Sequence, residues 1–506
     1  MSEERIRTVA GGILVVAILL ATTFGRGWAA EPAATTVKLF VDGKTGQVFA
    51  KPGPGRTPLD LPVAALPELS RQIEEAGARA AQADSKADKA LNSVTAAEET
   101  LRSEMKNDVY KWLPAKVQAS KKGFLMESED GDFELKLTGY MQFDSRWYTT
   151  GDKPSSGSTF QLRRIRPTIE GKLWKYFKFK IQPDFGEGTF TDKDMYIEFD
   201  YTKLARLRGG KYKVPVGLEV LSSSSRMLFI ERSLLQNVQP ERDVGGMVHG
   251  ELCDGAFLYP LGVFNGVPDR ASTVDIDTNS AKDFAGRVFF HPLRWIPEST
   301  IQEYGQNFGV GVASTYGDER GALPTYVDAG RLTFFTYNSG VAASGQRWRV
   351  DPQFYYSYGP FLMIAEYGQS TQRVTFPKTN GPKMNLTNWA YQVQAGYVLT
   401  GEDLKYDKNV IPKDPFDPSK GTWGAVALIA RWSQLGVDGD AFKMGYADIT
   451  KSARGAKEYV IGLNWYLNDN LKAEFNYARA SFNGGGIGGR DKQDDSVLET
   501  RVQVLW

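Results

Sequence analysis

Between Phe160 and Phe185 the chain reads FQLRRIRPTIEGKLWKYFKFKIQPDF, and a two-residue period runs through it. Leu162, Arg164, Arg166, Thr168 and Glu170 share one face of a first strand, with Arg163, Ile165, Pro167 and Ile169 on the other. After a turn at Leu173 to Lys175, Phe177, Phe179, Ile181 and Phe185 oppose Lys178, Lys180, Gln182 and Asp184. This is a hairpin with one apolar and one charged face. A soluble sandwich buries the apolar face and wets the charged one. A membrane barrel gives the apolar face to lipid and the charged face to a water-filled lumen. Alternation alone does not distinguish the two, so the rest of the chain must.

From Phe133 the alternation persists to the last residue. Leu135, Leu137, Gly139, Met141, Phe143 and Trp147 oppose Glu134, Lys136, Thr138, Tyr140, Gln142, Asp144 and Arg146. Met195, Ile197, Phe199 and Tyr201 oppose Tyr196, Glu198 and Asp200, and Tyr459, Ile461, Leu463, Trp465 and Leu467 oppose Glu458, Asn464 and Tyr466. Short turns such as Tyr358-Gly359-Pro360 and Asn468-Asp469-Asn470 join some pairs, while long polar connections such as Asp269 to Asp283 and Gly401 to Gly421 join others. Short turns at one end and long loops at the other predict an outer-membrane barrel. About 380 residues at roughly 20 to 25 per strand predict a transmembrane antiparallel barrel of about 16 strands, wide enough for an aqueous channel. The last strand carries Leu498, Thr500, Val502, Val504 and Trp506 on one face and ends on an aromatic residue.

The segment before the barrel has a different grammar. Arg5 and Arg7 precede an apolar run from Val9 to Phe24 and the small-residue stretch around Ala29 and Ala30, which predicts a signal peptide over 1–29 and export. Residues 30–61 read as a small hairpin around Asp42 to Gly46 and a linker rich in Pro and Gly. Over 62–112 the apolar residues Leu66, Leu69, Ile73, Ala76, Ala80, Ala83, Ala87, Ala90, Val94, Ala97 and Leu101 recur at intervals of three and four. That is a seam of about five heptads, predicting an α-helical coiled coil. So many alanines bury little area per helix, so partner helices of the same chain are expected, in the periplasm below the barrel.

Composition excludes several classes. A net charge of +1 argues against nucleic acid as a partner, and one Cys and two His leave no disulfide framework, cofactor or His/Cys metal site to expect. An enzyme needs a nucleophile beside a base. The only histidines are His249 and His291, no G-x-S-x-G occurs, and Ser222 to Ser225 reads as loop, so no catalytic residue is assigned.

Several stretches together resemble the phosphate-selective porin O/P family of Gram-negative outer membranes. They are FELKLTGYMQFD at 133–144, FQLRRIRPTIEG at 160–171, WKYFKFKIQPDF at 174–185, GLEVLSSSSRMLFIERS at 217–233, LTGE at 399–402, GLNWYLNDNLKAEFNY at 462–477 and the terminal RVQVLW. The resemblance covers roughly 123–506 and implies a trimeric 16-stranded barrel with basic residues lining the lumen and a third loop folded inward. The family's paired arginines match Arg163 and Arg164, a lumen lysine matches Lys178 with Lys180 beside it, and a basic position of the first strand matches Lys136. The constriction loop matches Gly217 to Arg232, its basic residue falling at Ser225 or Arg226. The family's lumen arginine of the first strand falls at Tyr140, and the usual final Phe is Trp506.

Flat strands place neighbours on opposite faces, so Arg163 and Arg164 both reach the lumen only if one sits at a bulge; alternation alone selects Arg164 and Arg166. Arg163, Arg164, Arg166, Lys178, Lys180, Arg206 and Arg208 form a cluster that would concentrate anions at several weak sites, as conduction requires. Glu134, Asp144, Asp184, Glu198 and Asp200 on the same faces make the field mixed in sign. The expected function is passive diffusion of small anions, with phosphate or polyphosphate implied by the resemblance. The alternatives are a general diffusion porin, or a structural barrel tethering the envelope to peptidoglycan or another periplasmic partner.

Overall fold

The computed structural model of the protein describes residues 36–44, 48–49, 51–62, 92–100, 115–150, 157–272, 280–295, 307–376 and 381–506, with isolated positions between 68 and 90. The chain divides into two compact units, Met1–Leu113 and Pro114–Trp506. The signal-peptide stretch 1–29 lies outside the described residues.

In the first unit, β1 (Thr36–Asp42) pairs antiparallel with β2 (Val48–Phe49) and, along its other edge, with β3 (Arg56–Pro62). From Arg56 the Pro/Gly-rich stretch is therefore strand, not linker. Its prolines Pro58 and Pro62 sit on an outer strand, the place in a sheet to which proline is confined. The described residues between 68 and 100 are helical. Of the heptad seam, Ala90, Val94 and Ala97 are described and exposed, and the remaining seam residues lie outside the described set.

The second unit opens with a hairpin of β4 (Ala115–Ser120) and β5 (Gly123–Ser128). Nine strands follow: β6 (Glu134–Thr150), β7 (Thr159–Leu173), β8 (Phe177–Asp184), β9 (Thr191–Thr202), β10 (Ala205–Lys213), β11 (Arg242–Leu252), β12 (Phe257–Phe264), β13 (Asp283–Phe290) and β14 (Phe308–Gly321). After the small pair β15 (Tyr326–Val327) and β16 (Thr333–Phe335) come β17 (Ala342–Tyr358), β18 (Phe361–Thr375), β19 (Met384–Val398), β20 (Ala425–Gly436), β21 (Ala453–Tyr466), β22 (Leu471–Gly484) and β23 (Asp495–Leu505). The strands β6 to β14 and β17 to β23 form a closed antiparallel barrel of 16 strands. β23 closes on the upper part of β6, from Ser496 opposite Thr150 to Leu505 opposite Tyr140. Below that, β5 takes over as the neighbour of β6, from Phe124 opposite Leu137 to Glu127 opposite Glu134.

The charged face turns inward. Gln142, Asp144, Arg146, Arg164, Arg166, Gln182 and Glu198 are buried, whereas Phe143, Trp147, Phe160, Ile169, Ile181 and Ile197 are exposed. This inversion is what a barrel wetted by lipid outside and by polar groups inside demands. The simple period fails at several register shifts, one of them beside the paired arginines. Gln142 pairs with Arg164 but Phe143 pairs with Leu162, so Arg163 is an extra residue in β7, a bulge. The phase shifts there, and Leu162 faces outward at 46% exposure rather than sharing the inner face of Arg164.

Among the described residues, three connections fold into the barrel. Residues 214–241, between β10 and β11, and 322–341, between β14 and β17, enter from the end with the long loops. Residues 399–424 are the unexpected case, because they join β19 to β20 at the same end as the turn Gly359-Pro360: the Val398 N–H donates to Pro360 O at 2.9 Å. The long connection Gly401 to Gly421 thus belongs to the short-turn end. Length and polarity do not encode the end of a barrel; only strand parity does.

These segments fill one side of the lumen with an apolar core. Leu362, Ile364, Val398, Ala427, Ile429 and Val460 face inward from β18 to β21 and pack on Leu218, Leu228, Phe229, Leu332 and Leu404 of the infolded segments. The inner wall of β6 to β12 keeps its charge, so the open space runs along that side.

Candidate functional site

On the open side the inward side chains form a cross-strand lattice of opposite charges, the sheet geometry in which directly opposed residues meet. Lys136 pairs with Glu170 at 3.2 Å, Arg166 with Asp184 at 2.7 Å, Lys180 with Asp194 at 3.5 Å, Arg206 with Asp200 at 2.7 Å, and Arg208 with Glu198 at 2.7 Å. Lys178 pairs with Asp200, half exposed near the short turns. The Tyr140 hydroxyl, in the position of a family arginine, accepts from Arg166 Nη1 at 2.8 Å. Each cation of the lattice therefore has an acid beside it, and the inner surface is amphoteric rather than uniformly basic.

The inner segment 214–241 hangs on inward side chains of the barrel. Ile230 N–H donates to Asn476 Oδ1 at 2.9 Å, while Asn464, Gln503 and Gln142 donate to the carbonyls of Leu228, Ser225 and Ser224 at 2.8, 2.9 and 3.0 Å. A loop inside a barrel has no neighbouring strand, so side chains supply its backbone partners. Charge adds a clamp. Glu231 accepts from Arg163 Nε at 2.7 Å, is also held by Arg146, and lies 3.6 Å from Arg164. Arg163 additionally reaches Glu187 at 3.3 Å. The bulge turns Arg163 toward the same acid as Arg164, so the paired arginines converge on the segment, not on open space.

Among the described residues, two cavities adjoin on the open side. The smaller, about 450 Å³, follows the inner face of β10 and β11 from Lys213 and Arg242 to Arg206 and Glu251. Its wall carries Arg166, Lys180, Arg206, Arg208, Lys213, Arg226, Arg242 and Arg287 against Asp194, Glu251 and Asp407, and Asp184, Asp200 and Glu198 pair with Arg166, Arg206 and Arg208, which leaves eight cations against six acids, an excess of two. Two of these have no carboxylate partner among the described residues. Arg287 donates to Gln353 Oε1 at 2.8 Å, and Lys213 donates to the carbonyls of Leu221 and Ser222 at 3.0 and 2.7 Å. The larger cavity, about 1060 Å³, lies at the short-turn end and is lined by Lys121, Lys122, Lys136, Lys180, Arg226, Lys405 and Lys408 against Glu170, Asp403 and Asp469. Tyr140, Lys180, Gln182, Ser223 and Arg226 belong to both, so the two adjoin along these residues.

Of the nine residues predicted from sequence, Lys136, Arg166, Lys180, Arg206, Arg208 and Arg226 line these cavities, and Arg163, Arg164 and Lys178 do not. Sequence reasoning missed Lys213, Arg242 and Arg287, whose signal was alternation on strands not read out, and Lys121, Lys122, Lys405 and Lys408, which lie in connections where no period points to the lumen. Among the described residues no cluster of acids, His and Cys suits a metal ion.

The model of the family described as phosphate-selective porin O and P matches residues 135–506. Porin O of Pseudomonas aeruginosa is 25% identical over 423 residues, covering 76% of this chain and 92% of that protein. Among solved structures, the outer membrane channel DcaP of Acinetobacter baumannii aligns with a TM-score of 0.49 at 10% identity over 75% of this chain and 99% of its own. An anion-selective porin from Comamonas acidovorans aligns with a TM-score of 0.45 at 10% identity over 74% of this chain and all of its own.

Proposed function

Since this chain belongs to the phosphate-selective porin O and P family and is an outer-membrane porin, we propose that it passes small anionic solutes, phosphate or polyphosphate in particular, by passive diffusion. The supporting observation is the basic excess along the 450 Å³ cavity, with Arg287 and Lys213 lacking an acid. Arginine offers a permanently charged planar fork matched to phosphate oxygens, and lysine a mobile point charge. Several such groups in series hold an anion weakly enough for it to leave. The lysine-lined cavity at the short-turn end continues the positive path. In this reading that end faces the periplasm, the barrels form a homotrimer, and the heptad segment is a periplasmic coiled coil, available to peptidoglycan or another periplasmic partner.

A second reading, a general diffusion porin of little selectivity, draws on the acid beside each lattice cation. Reversal potentials in a planar bilayer under a salt gradient, followed by titration of the chloride current with phosphate, separate the two. An anion-selective potential and a current blocked by phosphate are expected. A cation-selective potential, or a current indifferent to phosphate, defeats the anion reading.

A further inference from the structure

The connection 399–424 brings an acid to Arg226, which lines both cavities. Leu404 is buried, its N–H donating to Gly359 O at 2.8 Å. The Tyr406 ring stacks on Tyr355 at 5.0 Å, and its hydroxyl donates to Leu218 O at 2.8 Å. These contacts fix the next residue, Asp407, in the left-handed region at φ 51°. Its Oδ1 accepts from the Ser223 N–H at 2.9 Å and the Ser222 hydroxyl at 3.1 Å, and its Oδ2 faces Arg226 Nη1 at 3.1 Å. Both partners of this pair remain partly open to the cavity, so a passing solute meets the pair and not a bare arginine.

We infer that Asp407 is a specificity-determining residue of the channel, which moderates anion preference by neutralising Arg226 while holding the Ser222-Ser223 turn in place. The inference rests on the anion-channel reading and adds to it an acid that the sequence does not connect with the inner segment, 181 residues away. An isolated arginine lining both cavities would be a tighter anion site. An ion pair there lets an anion compete with the carboxylate and leave again, which favours throughput over capture.

The test uses the full chain in planar bilayers. In Asp407→Asn the Ser223 N–H keeps an acceptor and the left-handed backbone suits Asn, so the turn is kept while the charge and the acceptor facing Arg226 are removed. The expected results are a reversal potential displaced toward anions and a phosphate half-block concentration lowered roughly fivefold, the size of one nearby screened charge. Conductance in concentrated salt should stay near that of the unaltered channel. Arg226→Gln is the second arm and leaves the acid alone on the path, so its reversal potential should move toward cations. An anion-selective parent channel whose potential is unchanged in either variant overturns the inference and leaves the anion reading standing. A parent channel without anion preference overturns that reading, and the inference with it.

Discussion

At the scale of single residues, the lumen holds two kinds of arginine. Arg287 contacts the cavity without an acid partner, so Arg287→Gln should weaken phosphate block about fivefold, or roughly 1 kcal/mol, without loss of stability. A half-block concentration unchanged in bilayer recordings would remove Arg287 from the path. Arg146, Arg163 and Arg164 instead converge on Glu231. Glu231→Gln leaves those cations buried and underpaired, and breaking a buried pair this way costs about 3 to 5 kcal/mol. The folded band on semi-native gels should then convert to the unfolded form at a clearly lower temperature than in the parent. Alternation in the sequence tells which residues share a face, and it placed Arg164, Arg166 and Lys180 inside. It could not tell that Arg163 and Arg164 would be engaged by an acid 68 residues beyond Arg163, because that contact depends on where the inner segment comes to rest.

At the scale of elements, the seam of the barrel sets strict local demands. Trp506 exchanges backbone hydrogen bonds of 3.0 Å with Gly139, and a Cβ on Gly139 would stand 2.5 Å from the Trp506 ring and 2.9 Å from Arg166 O. A Cβ on Gly209, by contrast, meets nothing within 4 Å. Gly139→Ala should therefore slow insertion and lower the thermal midpoint, while Gly209→Ala is tolerated; equal behaviour of the two in a refolding assay would contradict the seam geometry. The sequence showed β6 to β9, β21 and β23 through their period, and the turns between β7 and β8 and between β21 and β22 were legible for the same local reason. The infolding of 399–424 was not, since nothing in a polar connection records which end of a barrel it leaves from or which inner wall will bury Leu404 and Tyr406.

For the whole molecule, the lattice of paired charges predicts strong dependence on salt. The Debye length falls from about 10 Å at 0.1 M to about 3 Å at 1 M, so anion preference should shrink between those concentrations. A preference constant across them would mean that steric fit, not field, selects the ion. The heptad segment has a separate test. A peptide covering 62–110 should gain helicity with concentration, and concentration-independent helicity would argue against a homo-oligomeric coiled coil. By itself the sequence determined the barrel, its approximate strand number and the inward turn of its charged face, because a period of two sustained over about 380 residues is a local property, and together with the resemblance of the chain it points to a closed sheet between two solvents. The tertiary structure alone decided that one side of the lumen is filled by an apolar core, that the open path follows β6 to β12, and that Glu231 and Asp407 meet their arginines. Those facts depend on contacts between residues far apart in the chain, and no local pattern carries them.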